Sequence, residues 1–449
     1  MTLIQTLAIL LSGYVASQAL VHLGLYRELL EILVRRSRGR PALLLLAILG
    51  GSSALSLVLP NALTVLTLLP LVALLLHNEG DQRTDAGLAT ILGLAVLYGA
   101  NIGGTGSLLG SPANLYLLVS LGVLDVPGRQ AVQFVPWLIF GIPLAALLVL
   151  AAWGILWTWT PASTRQALAN MSVDSLAAGH RLHSREGPPS PTDTSSEATR
   201  HRRHLGLLLV GALAATHFVA IGLLAAWFPQ PLARLVLPKS LGASIVVVQA
   251  ADLAAVILAA ATAIVFLCIP FRTDPNHPPT TPTHRQTLIH ATDLWRGLPM
   301  RGVLLAGFAI AILFAVAKLG GSRLLEATVA DLLPANTSPN LVLFGLTTLA
   351  LFATEILNNT TVATVLFPIV PALASTTHLD PVPTAIAVSM ASTCAFMSPL
   401  ATPVNALAFG SIPHIRIRTM VTAGLAMNLV AALLITLWAA TVVPAALTS

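Results

Sequence analysis

The chain consists mostly of long apolar runs, and two of these runs are interrupted in the same way. Pro60-Asn61-Ala62 interrupts one run, and Asn358-Asn359-Thr360 interrupts another 298 positions later (359 − 61). A proline follows each interruption at the same spacing, as Pro70 and Pro368. An asparagine or a broken helix within a membrane leaves polar groups that must find partners. Two such interruptions at matching positions predict one site built from two halves, as in secondary transporters.

The apolar runs predict an all-α polytopic membrane protein with two inverted repeats, each containing a re-entrant helical hairpin and a broken transmembrane helix. The first repeat, 1–157, is expected to contain a retained span at 3–24, an interfacial helix, a hairpin at 41–78, a broken helix at 86–122 and a span at 131–157. A cytoplasmic linker at 158–204, scaffold spans within 205–271 (205–228 and 243–271) and a polar cytoplasmic loop at 272–300 follow. The second repeat, 301–449, is expected to contain a span at 301–319, a hairpin at 339–376, a broken helix at 382–412 and a span at 419–444.

A second repeated motif supports the duplication. Gly110-Ser111-Pro112-Ala113-Asn114 recurs as Ala401-Thr402-Pro403-Val404-Asn405, 291 positions later (401 − 110). Basic residues cluster before the first hairpin, in the linker and before the last span. Since basic loops stay in the cytoplasm, this distribution predicts that the two hairpins enter the membrane from opposite sides.

Composition excludes several other classes of protein. Hydrophobic residues make up 56% of the 449 positions and charged residues 9%, with a mean hydropathy of +0.84, whereas a soluble domain carries roughly 25% charged residues. The net charge of +6 lies in the stretches between helices and aromatic residues are only 5%, so the sequence does not indicate a nucleic-acid-binding surface. We therefore expect a multi-pass protein of the cell inner (plasma) membrane.

The tips of the two hairpins have the chemistry of an ion site. At a tip, the carbonyl groups that end one helix and the N–H groups that begin the next face the same space. Carbonyl and hydroxyl oxygens suit a hard cation such as sodium, and helix N-termini suit an anion. Ser56 and Thr354 each place a hydroxyl about one helical turn before a tip. No Lys or Arg lies at either tip, which favours co-binding of cations with an anionic solute.

The residues from Glu355 to Thr364 resemble the second Ser-Asn-Thr motif of the divalent anion–sodium symporter family, within the ion transporter superfamily. The segment from Cys394 to Asn405 is similar to the Ala-Thr-Pro-Pro-Asn loop of that family. The resemblance covers 3–157 and 205–444. It implies a homodimer, with scaffold and transport domains, that moves dicarboxylates, citrate or sulfate by an elevator motion, usually with sodium as the coupling ion and with no enzyme cofactor.

Residue by residue, the resemblance implies two cation sites and one anion site. The first sodium site would contain Ser56, Asn61 and Gly110, and the second would contain Thr354, Asn358, Asn359 and Ala401. The anion would contact Asn61, Ser111, Asn359, Thr360, Thr402 and Pro403. The sequence departs from the family pattern at Pro60-Asn61-Ala62, which lacks both hydroxyls, and at Asn358, which replaces a serine.

Alternatives remain open at this point. Glu355 is interpreted first as a carboxylate that pairs locally near the membrane surface, and second as a residue for proton or cation coupling. The chain is also compatible with an inorganic-ion efflux transporter or a sodium/proton antiporter, although these are expected to have acids at the tips. An intramembrane enzyme would need a nucleophile with a base, or paired acids, and neither Ser56 nor Ser111 has a His or Lys nearby in sequence. A channel is a further alternative, but its symmetry usually comes from identical subunits.

Overall fold

The computed structural model describes residues 15, 36–37, 39–57, 60–77, 86–108, 110–123, 126–170, 231–236, 245–268, 304, 338–412 and 414–448. The chain divides into two compact units, one of residues 1–29 and 181–298 and the other of residues 30–180 and 299–449. The predicted spans at 3–24, 205–228 and 301–319, the polar loop at 272–300 and the linker after residue 170 lie outside the described residues, apart from residues 15 and 304.

The larger unit begins with six helices. They are α1 (Pro41–Ser56), α2 (Asn61–His77), α3 (Ala86–Gly106), α4 (Pro112–Val123), α5 (Phe134–Trp159) and α6 (Ala162–Asn170), with a short 3-10 helix at Arg129–Ala131 before α5. Proline is the first residue of α1 and of α4. This position suits proline because the first N–H of a helix has no partner within the helix.

The described residues of the smaller unit form a β-hairpin and one helix. Strand β1 (Pro231–Val236) pairs antiparallel with β2 (Ile245–Gln249), and α7 (Ala250–Cys268) follows directly. The predicted helical span at 243–271 therefore contains a strand. The first residues of β2, Ile-Val-Val-Val, are β-branched, and such residues favour strands. This hairpin is the exception to an otherwise helical architecture among the described residues.

The larger unit continues with α8 (Pro339–Ala353), α9 (Asn359–Leu366), α10 (Ile369–Thr377), α11 (Pro381–Thr393), α12 (Pro403–Ser411) and α13 (Ile417–Thr448). The order of helices and breaks from α8 onward resembles that from α1 onward. The two matching prolines differ, however, because Pro70 lies within α2 whereas Pro368 separates α9 from α10. A proline removes one backbone donor and often interrupts a helix. Of these two prolines, only Pro368 interrupts one.

Helix α3 forms the centre of the larger unit. It packs against α1, α2 and α5, and its residues from Gly87 to Gly106 are buried. Within the predicted broken helix 86–122, the sequence from Asn101 to Pro112 contains too many glycines to predict a continuous helix. The helix nevertheless continues through Asn101–Gly106, and the break begins only at Ser107. A Cβ atom at Gly103 would collide with the backbone carbonyl of Ser53 in α1. The glycine thus permits close packing of two helices rather than ending one of them.

Three helices are long and apolar enough to cross a membrane among the described residues: Ala86–Gly106, Pro136–Trp159 and Ile417–Leu447. Only the first is enclosed by protein, whereas the other two turn apolar side chains outward. On α13 the exposed large apolar residues recur every four positions, as Ile417, Val421, Leu425, Leu429, Leu433 and Leu437. An exposed apolar face of this length is the surface that a lipid bilayer accepts.

The predicted linker begins as ordered structure. Helix α6 lies within 158–204 and packs against α1 and α3, with Thr164 and Leu168 buried. The guanidinium group of Arg165 lies over the Trp157 ring, 4.6 Å from its centroid, and donates to the Trp157 carbonyl at 2.9 Å. A basic side chain that binds the end of α5 in this way fixes the first part of the linker to the helical core.

Candidate functional site

The first break brings the three residues of the first candidate cation site together. The Ser56 hydroxyl lies 3.1 Å from the side-chain amide of Asn61. The backbone N–H of Asn61 donates to the Gly110 carbonyl at 3.3 Å. In one of the two orientations of its side-chain amide, Asn61 Nδ2 also donates to the carbonyl oxygens of Gly110 (2.7 Å) and Ala100 (3.2 Å). The oxygens of Ser56 and Gly110 thus surround one asparagine at the start of α2.

The second break repeats the central contact of the first. Thr354 Oγ1 lies 3.0 Å from Asn359 Oδ1 and 2.8 Å from the Ser392 carbonyl oxygen. Thr354 and Asn359 stand 298 positions after Ser56 and Asn61 (354 − 56 and 359 − 61). A hydroxyl one turn before each break therefore contacts the asparagine that begins the next helix.

The two remaining candidates of the second cation site have other contacts. Asn358 Oδ1 accepts the N–H of Thr361 at 2.7 Å and so caps α9. Ala401 is buried and its N–H donates to the Ser398 carbonyl at 3.4 Å. Among the described residues, no recorded hydrogen bond joins Ala401 to Thr354 or Asn359.

Two asparagines that sequence reasoning did not assign to the site stabilise the unwound segments. Asn114 Nδ2 donates to the carbonyl oxygens of Gly104 and Ser107, both at 2.8 Å, and Asn405 Nδ2 donates to the Ser398 carbonyl at 3.1 Å. The asparagines and the serine carbonyls are both 291 positions apart (405 − 114 and 398 − 107). The repetition of this asparagine in both motifs was the signal that would have identified them.

Hydrogen bonds also connect the two halves of the larger unit directly. They run from Asn101 Nδ2 to Ala395 O at 2.6 Å, from Ser389 Oγ to Asn114 Oδ1 at 2.8 Å, and from Thr393 Oγ1 to Ser111 Oγ at 3.2 Å. In addition, α2 packs against α12 and α4 packs against α9. Each of α2 and α9 therefore contacts a helix of the other half of the larger unit.

The six candidate anion ligands lie at the N-termini of four helices. Asn61 begins α2 and Ser111 precedes α4, Asn359 and Thr360 begin α9, and Thr402 and Pro403 begin α12. The hydroxyls of Ser111 and Thr402 are engaged within the protein: Ser111 contacts Thr393, and Thr402 Oγ1 accepts the N–H of Asn405 at 3.1 Å. Helix N-termini carry partial positive charge and free N–H groups, so this arrangement can bind an anion without a basic side chain.

The expectation that Glu355 pairs locally is wrong. The side chain is buried, and its oxygens accept the N–H groups of three successive residues, Phe396, Met397 and Ser398, at 2.7–3.0 Å. The amide of Asn428 in α13 also donates to Oε1 at 2.9 Å. All of these partners lie 41 to 73 positions away in the sequence, so no local pattern indicated them.

The described residues contain no group of three or more His, Cys, Asp or Glu side chains able to hold a metal ion. The oxygens near the breaks are instead hydroxyls, amides and carbonyls, which are ligands for hard cations. At Gly104 a Cβ atom would meet the side chain of Asn61 and lie 2.8 Å from Thr393 Cγ2. Glycine at this position lets the end of α3 approach the first break closely.

Comparisons with known proteins show which family the chain is similar to. The model of a citrate transporter family matches residues 2–269, more than half of the chain. The sodium-dependent dicarboxylate transporter SdcS of Staphylococcus saprophyticus is 22% identical over 434 residues, which cover 95% of this chain and 74% of the relative. The protein of the same name from Staphylococcus aureus is 24% identical over the same shares of both chains.

Proposed function

We propose that this chain, which belongs to the citrate transporter family, is a secondary active transporter of a small divalent or trivalent anion of the dicarboxylate or citrate type, coupled to sodium. Its relatives carry names of sodium-dependent dicarboxylate transporters. The observation that carries the proposal is the position of the candidate ligands at four helix N-termini, with hydrogen bonds that link the two halves. An enzyme is not proposed, because the family and these relatives are transporters.

The anion is proposed to bind at the helix N-termini through Asn61, Ser111, Asn359, Thr360, Thr402 and Pro403. Helix N-termini and side-chain amides offset part of a carboxylate's charge, but a dianion away from water needs further compensation. Since no lysine or arginine lies at either break, co-bound cations are the remaining source of positive charge. This argument favours coupled binding of anion and cation over binding of the anion alone.

The cations are proposed to occupy one site at each break. Ser56, Asn61 and Gly110 would form the first, and their mutual contacts support that assignment. Thr354, Asn358, Asn359 and Ala401 would form the second, for which the contact between Thr354 and Asn359 is the support. When sodium is bound, its charge would offset that of the anion at the adjacent helix N-termini.

The transport cycle is proposed to be an elevator motion of a homodimer in the inner (plasma) membrane. The two hairpins, 41–78 and 339–376, would enter from opposite sides as parts of inverted repeats, so that the site lies near the middle of the bilayer. The proposal draws support from the repeated contacts at offsets of 298 and 291 positions. The site, with its ligands bound, would then cross the membrane while its internal contacts stay intact.

Uptake into proteoliposomes tests the proposed function. Purified protein is reconstituted, and the accumulation of labelled succinate, citrate and sulfate is measured with an inward sodium gradient, with an equal potassium gradient and with a proton gradient alone. We expect accumulation of succinate or citrate only with sodium. Sodium-independent accumulation would reject the coupling ion, and the absence of uptake of all three anions under every gradient would reject the function.

A further inference from the structure

Glu355 is an acidic side chain inside the helical core whose role the proposed sites do not include. It directly follows Thr354, a candidate cation ligand, and only 7% of its surface is exposed. A buried carboxylate is costly unless its charge is compensated and its oxygens accept hydrogen bonds. Among the described residues, its recorded partners are N–H donors and no Lys or Arg pairs with it.

The donors come from the segment that separates α11 from α12. The N–H of Phe396 lies 2.7 Å from Oε1, that of Met397 lies 3.0 Å from both oxygens, and that of Ser398 lies 2.8 Å from Oε2. Three consecutive backbone N–H groups that converge on one point form an anion-binding concavity. Helix α11 ends at Thr393, so these donors have lost their helical acceptors. The Glu355 carboxylate supplies acceptors for all three.

Asn428 links the same carboxylate to α13. Its Nδ2 donates to Glu355 Oε1 at 2.9 Å, and its Oδ1 has no hydrogen-bond partner among the described residues. Asn428 is completely buried, and its hydrogen bond to Glu355 offsets part of the free-energy cost of removing the amide from water. One turn earlier on α13, Gly424 lies against the backbone of Phe396 and Met397. The unwound segment is therefore held between Glu355 on one side and α13 on the other.

The described residues of the first half of the larger unit have no such carboxylate at the matching place. The residue 298 positions before Glu355 is Leu57 (355 − 298). There the unwound segment is stabilised by neutral groups: the Ser107 hydroxyl donates to the Leu57 carbonyl, and Asn114 donates to the Ser107 carbonyl. Hydrogen bonds that involve an ionised group are about twice as strong as those between neutral groups. The two unwound segments are therefore fixed by different means.

We propose that Glu355 is a positioning residue whose carboxylate holds the unwound segment 394–402 in the conformation that completes the second cation site. This segment carries Ala401, which belongs with Thr354 and Asn359 to the candidate second cation site, and Thr402, a candidate ligand of the anion. Glu355 itself does not bind the cation; it fixes the backbone that does. The inference rests on the proposed function, because it assigns a role within the second of the two cation sites.

Replacement by glutamine tests the role with little change of shape. In Glu355→Gln one oxygen becomes an NH₂ group that faces backbone N–H donors, so at least one of the three loses its acceptor. We expect the sodium concentration for half-maximal succinate uptake to rise about tenfold, equivalent to about 1.4 kcal/mol, with the maximal rate restored at saturating sodium. Ile356→Val is the matched control, because that neighbouring side chain is 62% exposed, and it should leave the sodium dependence unchanged.

A second measurement reports on the segment independently of transport. Hydrogen exchange followed by mass spectrometry should show faster exchange in the peptide containing residues 396–398 of Glu355→Gln, with peptides of α8 and α13 unchanged. Asn428→Ala, which removes the amide bond to Glu355 and leaves its three backbone donors in place, should shift the sodium dependence in the same direction by about threefold. This variant carries the test if Glu355→Gln does not fold.

The outcomes separate this inference from the proposed function. Unchanged exchange at 396–398 in Glu355→Gln, or faster exchange with an unchanged sodium dependence, would overturn the positioning role. A loss of uptake that saturating sodium does not restore would do the same, since it would indicate general damage. If the wild-type protein shows no sodium-stimulated uptake, the proposed function is rejected. The role of Glu355 at the cation site is then rejected as well, even if the exchange data show that Glu355 holds the segment.

Discussion

We expect Asn114 to stabilise the contact between the two halves of the larger unit more than Asn405, the asparagine at the same position of the second motif, does. Its side chain is fully buried and makes three hydrogen bonds of 2.8 Å, two as donor to Gly104 and Ser107 and one as acceptor from Ser389. Asn114→Ala removes all three bonds and leaves two carbonyls and a hydroxyl without these partners. Such bonds contribute about 0.6 kcal/mol each within membranes and about 1 kcal/mol in soluble proteins. We therefore expect a loss of about 2–3 kcal/mol of stability.

Asn405→Ala is the matched control for this prediction. Asn405 occupies the same position in the second motif, but its side chain makes bonds of 3.1 Å to the Ser398 carbonyl and 3.0 Å from the Thr402 hydroxyl, both within its own segment. We expect a loss of about 1–2 kcal/mol. Ser389→Ala, which removes only the bond between the halves, should cost about 1 kcal/mol.

Thermal inactivation in detergent ranks these variants. The temperature at which half of the purified protein remains monodisperse after a fixed heating time should fall in the order wild type, Ser389→Ala, Asn405→Ala and Asn114→Ala. Because unfolding of such proteins is commonly irreversible, the ranking rather than an absolute free energy is compared. An Asn114→Ala protein as stable as Asn405→Ala would refute the argument that Asn114 braces the two halves.

Three further predictions concern the breaks and the backbone around them. Asn359→Ala should abolish uptake of labelled succinate while the protein still elutes as the wild type on size exclusion, and normal uptake would reject Asn359 as a ligand. Gly424→Ala places a Cβ atom 2.5–2.7 Å from the backbone of the unwound segment at 396–397, so uptake should fall at least tenfold. Gly345→Ala is the control: its Cβ atom meets nothing within 4 Å, and this variant should keep full activity. Gly104→Ala should weaken the activation of uptake by sodium, because its Cβ atom would collide with the Asn61 amide. Gly50 on α1 faces open space, so Gly50→Ala should keep wild-type activation by sodium and should stabilise the helix slightly.

Local features of the sequence indicated where the helices of the hairpins end. Pro60 and Asn61 stand where α1 has ended and α2 begins, and Asn358 is the N-cap of α9. These positions were predictable because proline and asparagine act on the backbone within one turn of themselves. The same local reasoning failed at the glycine-rich end of α3, which remains helical through Gly106. There the glycines serve contact with α1, which a local pattern does not reveal.

The sequence by itself determined the class of protein, because membrane burial requires apolar runs. It also predicted a repeat, because two copies of a motif at a fixed spacing can be read from the chain alone. Only the tertiary structure decided which polar groups meet. Of two adjacent asparagines, Asn359 contacts Thr354 while Asn358 caps a helix. Glu355 finds its donors 41 to 73 positions away. The physical reason is that a helix end is fixed by interactions within a few residues, whereas the partner of a buried polar group depends on which distant segment the packing brings beside it.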